Sequence, residues 1–114
     1  MTVLDIVKII IAVGTALTGL YALIRPKGIY GFTGLKAPGP RGITEIRSIM
    51  GGVFIGLGVV TLILRAPAAY QTLGATYLTI AAVRLVSIFL DQSSVSSNWI
   101  SLAVEVVFGV LLVI

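Results

Sequence analysis

Residues 44–64 read TEIRSIMGGVFIGLGVVTLIL. Beyond Glu45 and Arg47 no charged side chain appears until Arg65, and the residues between are glycine, large aliphatics, Phe54, Met50 and two hydroxyl side chains, Ser48 and Thr61. A helix of about 20 predominantly apolar residues rises about 30 Å, which matches the hydrocarbon thickness of a bilayer. The same length and character recur at 3–24, 69–90 and 98–114, so four candidate spans account for most of the 114 residues.

The composition agrees. Hydrophobic residues make up 58% of the chain, charged residues only 11%, and the mean hydropathy is +1.14. A soluble domain carries about a quarter of its residues charged, and too little polar sequence is present here to cover a water-exposed surface. The expectation is an all-α integral membrane protein, a single domain over 1–114. The N-terminal apolar run is too long for a signal-peptide core and no Ala-x-Ala-like site follows it, so it reads as a retained first span.

The connections differ in kind. Residues 25–42 hold three prolines and five glycines, which favour turns, with Tyr30 and Phe32 as interfacial aromatics. Arg65-Ala66-Pro67 is a short turn, with Pro67 suited to the first turn of the third helix. Residues 91–98 are polar; Ser97 or Asn98 is the expected cap of the last helix, and Trp99 an interfacial anchor. Short connections favour antiparallel neighbours, hence an up-down-up-down four-helix bundle. Arg25, Lys27, Lys36 and Arg41 all fall in the first loop, against Lys8 and Arg65 toward the other side. The positive-inside rule then places the 25–42 loop in the cytoplasm and both termini outside.

Apart from Asp5 and Lys8 near the start of the first span, four charges fall within the spans: Glu45, Arg47, Arg84 and Glu105. Each is expensive in hydrocarbon, about 2.5 to 3.5 kcal/mol at a helix centre, and two acids with two bases suggest mutual pairing. Arg84 lies six residues before Leu90 and Glu105 six after Trp99, so both sit roughly 9 Å below one face. Glu45 and Arg47 start the second helix from that side. They are about 200° apart on the helix and must look to different neighbours. Ser48, Gly52 and Gly56 share the Glu45 side as a small-xxx-small row, and Gly51 and Gly58 share the Arg47 side; such rows allow close helix packing or homodimerisation. Gly14, Thr18, Tyr21 and Arg25 share a face of the first helix, and Tyr77, Ala81 and Arg84 share one of the third. The candidate polar network or ligand pocket is therefore Glu45, Arg47, Arg84, Glu105, Tyr21, Tyr77 and Arg25.

The chain has neither Cys nor His, which removes disulfides, Cys/His zinc sites, His- or Cys-ligated haem and histidine-based catalysis. No nucleophile-base pair or phosphate-binding glycine loop is present, so no catalytic residue, cofactor or metal is assigned. The basic loop reads as facing anionic lipid, with no nucleic-acid partner expected.

Glu45-Ile46-Arg47-Ser48 followed by Gly51-Gly52, then Arg84 in the third span and Glu105 in the fourth, resembles the uncharacterised bacterial membrane-protein family catalogued as domain of unknown function 4345. The resemblance covers nearly the whole chain. It implies a small four-helix membrane protein, here in a bacterial inner membrane, and carries no assigned activity. That family typically has Asn before the Glu-Ile-Arg, where this chain has Thr44. The small multidrug resistance transporters are of similar size, but their essential Glu lies mid-way along helix one, where this chain has Gly14, Thr15 and Thr18. Two readings follow. One is a structural or accessory bundle that binds lipid, a second copy or subunits of a larger complex, with its charges as an internal salt-bridge network. The other is a small transporter or binder of an anionic or lipophilic ligand in a polar pocket near Arg84.

Overall fold

The computed structural model describes residues 1–114, which are 85% helical with no strands. Four helices are long and apolar enough to cross a membrane: α1 (Val3–Ile24), α2 (Pro40–Leu64), α3 (Pro67–Leu90) and α4 (Ser96–Val113). The spans expected at 44–64, 69–90 and 98–114 start earlier. Pro40 and Pro67 each occupy the first helical turn, preceded by Gly39 and Ala66 in extended conformation. Proline fits there because its missing N–H would have no intrahelical partner. At the head of α1, the Thr2 and Asp5 side chains each accept the other's backbone N–H, a reciprocal cap. At the head of α4 the cap position is Val95, with no side-chain hydrogen bond to the first turn. Neither Ser97 nor Asn98 is the cap, because helix starts at Ser96 and both lie inside it.

Two compact units make up the chain. In the first, Met1–Lys8 and Arg65–Ile114, α3 packs on α4. Leu73, Gly74, Tyr77, Ala81 and Ile88 form the buried stripe of α3, and Glu105, Gly109 and Leu112 that of α4. Both follow the three-to-four-residue spacing of one helix face. Gly74 and Gly109 set the closeness of the crossing: a Cβ on Gly74 would lie 2.9 Å from the Gly109 carbonyl oxygen and 2.8 Å from the Leu112 Cβ. The Lys8 ammonium lies 5.7 Å from the centre of the Tyr70 ring, within cation–π range.

The second unit, Ile9–Leu64, contains the rest of α1, the first loop and α2. The buried positions of α1 are Ile11, Ala12, Thr15, Gly19 and Ala22. Gly58 meets this helix at Ala12 and Ala16, and Gly51 meets it at Gly19 and Leu23. The Gly52 and Gly56 positions have no neighbour within 4 Å, nor does Gly14. The close-packed small residues are thus Gly51 and Gly58 with Gly19, not the Ser48-Gly52-Gly56 row. From Ile46 to Val53 the helix of α2 is π-type, with hydrogen bonds closing five residues back, so positions beyond it are rotated from an α-helical projection.

The loop is less irregular than its composition implies. Pro26–Ile29 is a 3₁₀ turn and Tyr30–Thr33 one helical turn, closed by Gly34 at a left-handed φ of 72°. Ile29 is buried with Ala22 and Ile46, and Tyr30, Ala37 and Met50 pack against that cluster. The Tyr30 hydroxyl also accepts the Ala37 N–H at 3.2 Å.

Candidate functional site

Polar side chains inside apolar helices must find partners within the protein. The threonines do so locally: Thr15, Thr18, Thr61, Thr72, Thr76 and Thr79 each donate a hydroxyl to the carbonyl four residues back. No buried side-chain nitrogen or oxygen lacks a hydrogen bond.

In the first unit the principal polar feature is centred on Arg84. Its Nε donates to Glu105 Oε1 and its Nη2 to Glu105 Oε2, each at 2.8 Å, and its Nη1 donates to Asn98 Oδ1 at 2.8 Å. The two parallel bonds form the fork-to-fork arrangement that suits guanidinium and carboxylate. Asn98 closes the chain by donating its amide to the Ser93 carbonyl and hydroxyl. The guanidinium therefore joins the middle of α4, its first turn and the α3–α4 loop. The Glu105 side chain is 11% exposed and that of Arg84 30%, so the acid is held in the packed stripe while the base reaches its edge.

Asn98 and Ser93 are members of this network that sequence reasoning missed. The signal was present: Asn98 lies seven residues before Glu105, two helical turns earlier on the same face. Reading Asn98 as a cap concealed it. Tyr77 belongs to the same buried stripe as Ala81, with its ring edge-to-face with Phe108 at 5.6 Å and 88°. Beside the network is an open groove of about 450 Å³, lined by Thr79, Val83, Arg84, Ser87, Asp91 and Asn98 among others. Its one base is already neutralised by Glu105, and Asp91 adds a negative charge, so this groove carries no net attraction for an anion.

The second unit holds the other sequence candidates. Glu45 does not reach to a neighbouring helix: its partner is Arg41, one turn back on α2, in an exposed ion pair. The helix extends back to Pro40, which puts Arg41 at the i,i+4 position that the shorter expected span left in the loop. Arg47 forms no ion pair. It lines a groove of about 490 Å³ together with Tyr21, Ile24, Arg25, Lys27 and Ile43. The Tyr21 hydroxyl donates to the Gly28 carbonyl at 3.4 Å, which ties the end of α1 to the following turn. Lys27 was read in the sequence only as loop charge, and its place in this groove follows from the 3₁₀ turn that carries it.

Searches of curated proteins and of solved structures returned no match to this chain. One family model does match, over residues 3–114, and its description is Domain of unknown function (DUF4345). With that match spanning all four helices, the Arg84–Glu105 pair and the loop groove, the chain belongs to the DUF4345 family.

Proposed function

We propose that this chain is an integral membrane protein with a structural or accessory role: an up-down-up-down four-helix bundle, in a bacterial inner membrane with the 25–42 loop cytoplasmic, that binds lipid and partner subunits. The observation that carries the role is the continuous Arg84–Glu105–Asn98–Ser93 network. A guanidinium held by both oxygens of one carboxylate and by an amide fixes the register of α4 against α3, and a buried ion pair is best attested in that use. The membrane reading is supported by burial. Only 17 to 22% of each helix's most apolar window is buried within the protein, leaving large aliphatic side chains such as Ile10, Leu17, Val60, Ile63, Val86 and Val107 exposed on every helix. Water does not tolerate contiguous apolar surface on that scale, and lipid does.

Charge reversal tests the role. Arg84→Glu and Glu105→Arg each set two like charges against one another, and each is expected to lower membrane yield and thermal stability. Breaking a buried pair is worth about 3–5 kcal/mol, and the partial exposure of Arg84 places this one at about 2–3 kcal/mol. The double reversal should recover most of the loss. A double variant as unstable as either single one, or an Arg84→Ala variant of unchanged stability, refutes the register role. Membrane residence is tested separately by alkaline-carbonate extraction, where release into the soluble fraction would refute it. The groove beside Arg84 favours the second reading, a binder of an anionic or lipophilic ligand, in one respect only: it leaves that side chain accessible. Under it, a stable double reversal would still lose ligand.

A further inference from the structure

We infer that the groove between the end of α1, the 26–29 turn and the start of α2 is a binding site for the phosphate of an anionic phospholipid. Arg25, Lys27 and Arg47 line this one groove of about 490 Å³. A second groove of about 500 Å³ shares Lys27, Ile43 and Arg47 with it. No carboxylate lines either one. Glu45, the acid nearest in sequence, is taken by Arg41, and none of the three cations forms an ion pair. Three formal positive charges thus converge with no internal counter-charge, whereas Arg84 at the other polar centre is fully matched.

The site is also preorganised. Its turn is held by the Tyr21–Gly28 hydrogen bond and by Ile29, buried with Ala22 and Ile46. The cations therefore sit on an ordered backbone, and a ligand does not have to meet the entropy of ordering a free loop. Two guanidinium forks match phosphate oxygens in planar pairs, and an ammonium adds a point charge. Ile24 and Ile43 supply apolar wall on the same groove, and Ile24 is 64% exposed at the C-terminal end of α1. Cations next to aliphatic surface at the end of a spanning helix fit a headgroup phosphate with an acyl chain running along the helix. Inorganic phosphate shares the headgroup chemistry and lacks the chain.

The inference rests on the membrane reading above, and the experiment separates the two. The detergent-purified full chain is titrated with dioleoyl phosphatidylglycerol, dioleoyl phosphatidylcholine and glycerol phosphate, and bound species are counted by native mass spectrometry. Phosphatidylglycerol is expected to bind at least about tenfold more tightly than phosphatidylcholine, and Arg25→Gln, Lys27→Gln or Arg47→Gln to weaken it by about fivefold each. Lys36→Gln removes the same charge from the same loop but lines neither groove, and should leave binding within about twofold. Equal affinity for the two lipids, or a Lys36→Gln effect as large as that of Arg47→Gln, would overturn the site. Glycerol phosphate binding as tightly as phosphatidylglycerol would overturn the lipid assignment in favour of a soluble phosphate. A chain that resists carbonate extraction yet shows no lipid preference overturns the site and leaves the membrane reading standing.

Discussion

Gly58→Ala places one methyl group into one of the two tightest helix contacts of the Ile9–Leu64 unit, the other being at Gly19. The new Cβ would lie 2.6 Å from the Ala16 nitrogen, 2.7 Å from the Ala12 carbonyl oxygen and 2.8 Å from the Ala16 Cβ. Ordinary carbon contacts are about 3.5–4.0 Å, so the two backbones must separate by nearly 1 Å, and no flexible side-chain end can absorb the difference. That separation also loosens the contact one to two turns away, where a Cβ on Gly51 would lie only 3.2 Å from the Gly19 carbonyl oxygen. Overpacking of this kind costs about 1–3 kcal/mol, offset by about 0.5–1 kcal/mol of better helix propensity, for a net loss of about 1–2 kcal/mol. Gly56→Ala is the matched control: two residues away on the same helix, with nothing within 4 Å of its Cβ, it should be neutral or stabilising by up to about 1 kcal/mol. Reversible unfolding of the purified chain in mixed micelles by SDS titration, followed by circular dichroism, resolves such differences. Equal stability of the two variants, or a Gly56→Ala loss exceeding that of Gly58→Ala, would refute the packing assignment.

Two further changes address the ends of α3 and α4. Gln92 follows the C-terminus of α3 with a φ of 51°, while the Ser93 N–H reaches back to the Ile88 carbonyl at 2.9 Å; Gln92→Gly should raise the melting temperature, by about 0.5–1 kcal/mol of stability, because the left-handed strain of about 1–2 kcal/mol exceeds the added flexibility of glycine. Asn98→Ala removes the acceptor of Arg84 Nη1 and both amide bonds to Ser93; a loss of about 1–3 kcal/mol is expected in the same SDS titration, with hydrogen exchange of residues 91–97 accelerated, and a loss confined to the loop with no effect on global unfolding would contradict its part in the register lock.

The helices were readable because hydropathy and proline placement act over many residues. Arg84 and Glu105 were readable as partners because each is six residues from its end of one short loop, and two regular helices keep that count. Glu45 was not, since its partner depended on where α2 begins. The motif Pro-Gly-Pro invites a break, yet Gly39 takes the extended position and Pro40 becomes helical, which adds one turn and delivers Arg41. The glycine faces of α2 were legible: Gly51 and Gly58, expected on one side, both meet α1, while Gly52 and Gly56, expected on another, have nothing within 4 Å. What the sequence did not show is that the helix is π-type between Ile46 and Val53, where the hydrogen bonds close five residues back. Nothing in a side-chain pattern announces a π stretch. The cationic groove required the folded turn: Arg25, Lys27 and Arg47 have no common periodicity, and only the packing of Ile29 beneath the loop brings them together.

The pairing of Arg84 with Glu105 spans 21 positions of sequence and one tight connection, and this bears on how the chain is made. An emerging α3 carries an unmatched guanidinium, at about 2.5–3.5 kcal/mol if it enters hydrocarbon alone. Its counter-charge is synthesised only when about half of the next helix, Ser96–Val113, has been made. In a bilayer, then, the α3–α4 hairpin and not the single helix is the parcel in which the Arg84 charge is matched, and late assembly of these two helices as a couple is the path of least electrostatic work. A chain truncated before Glu105 would leave that parcel half-built.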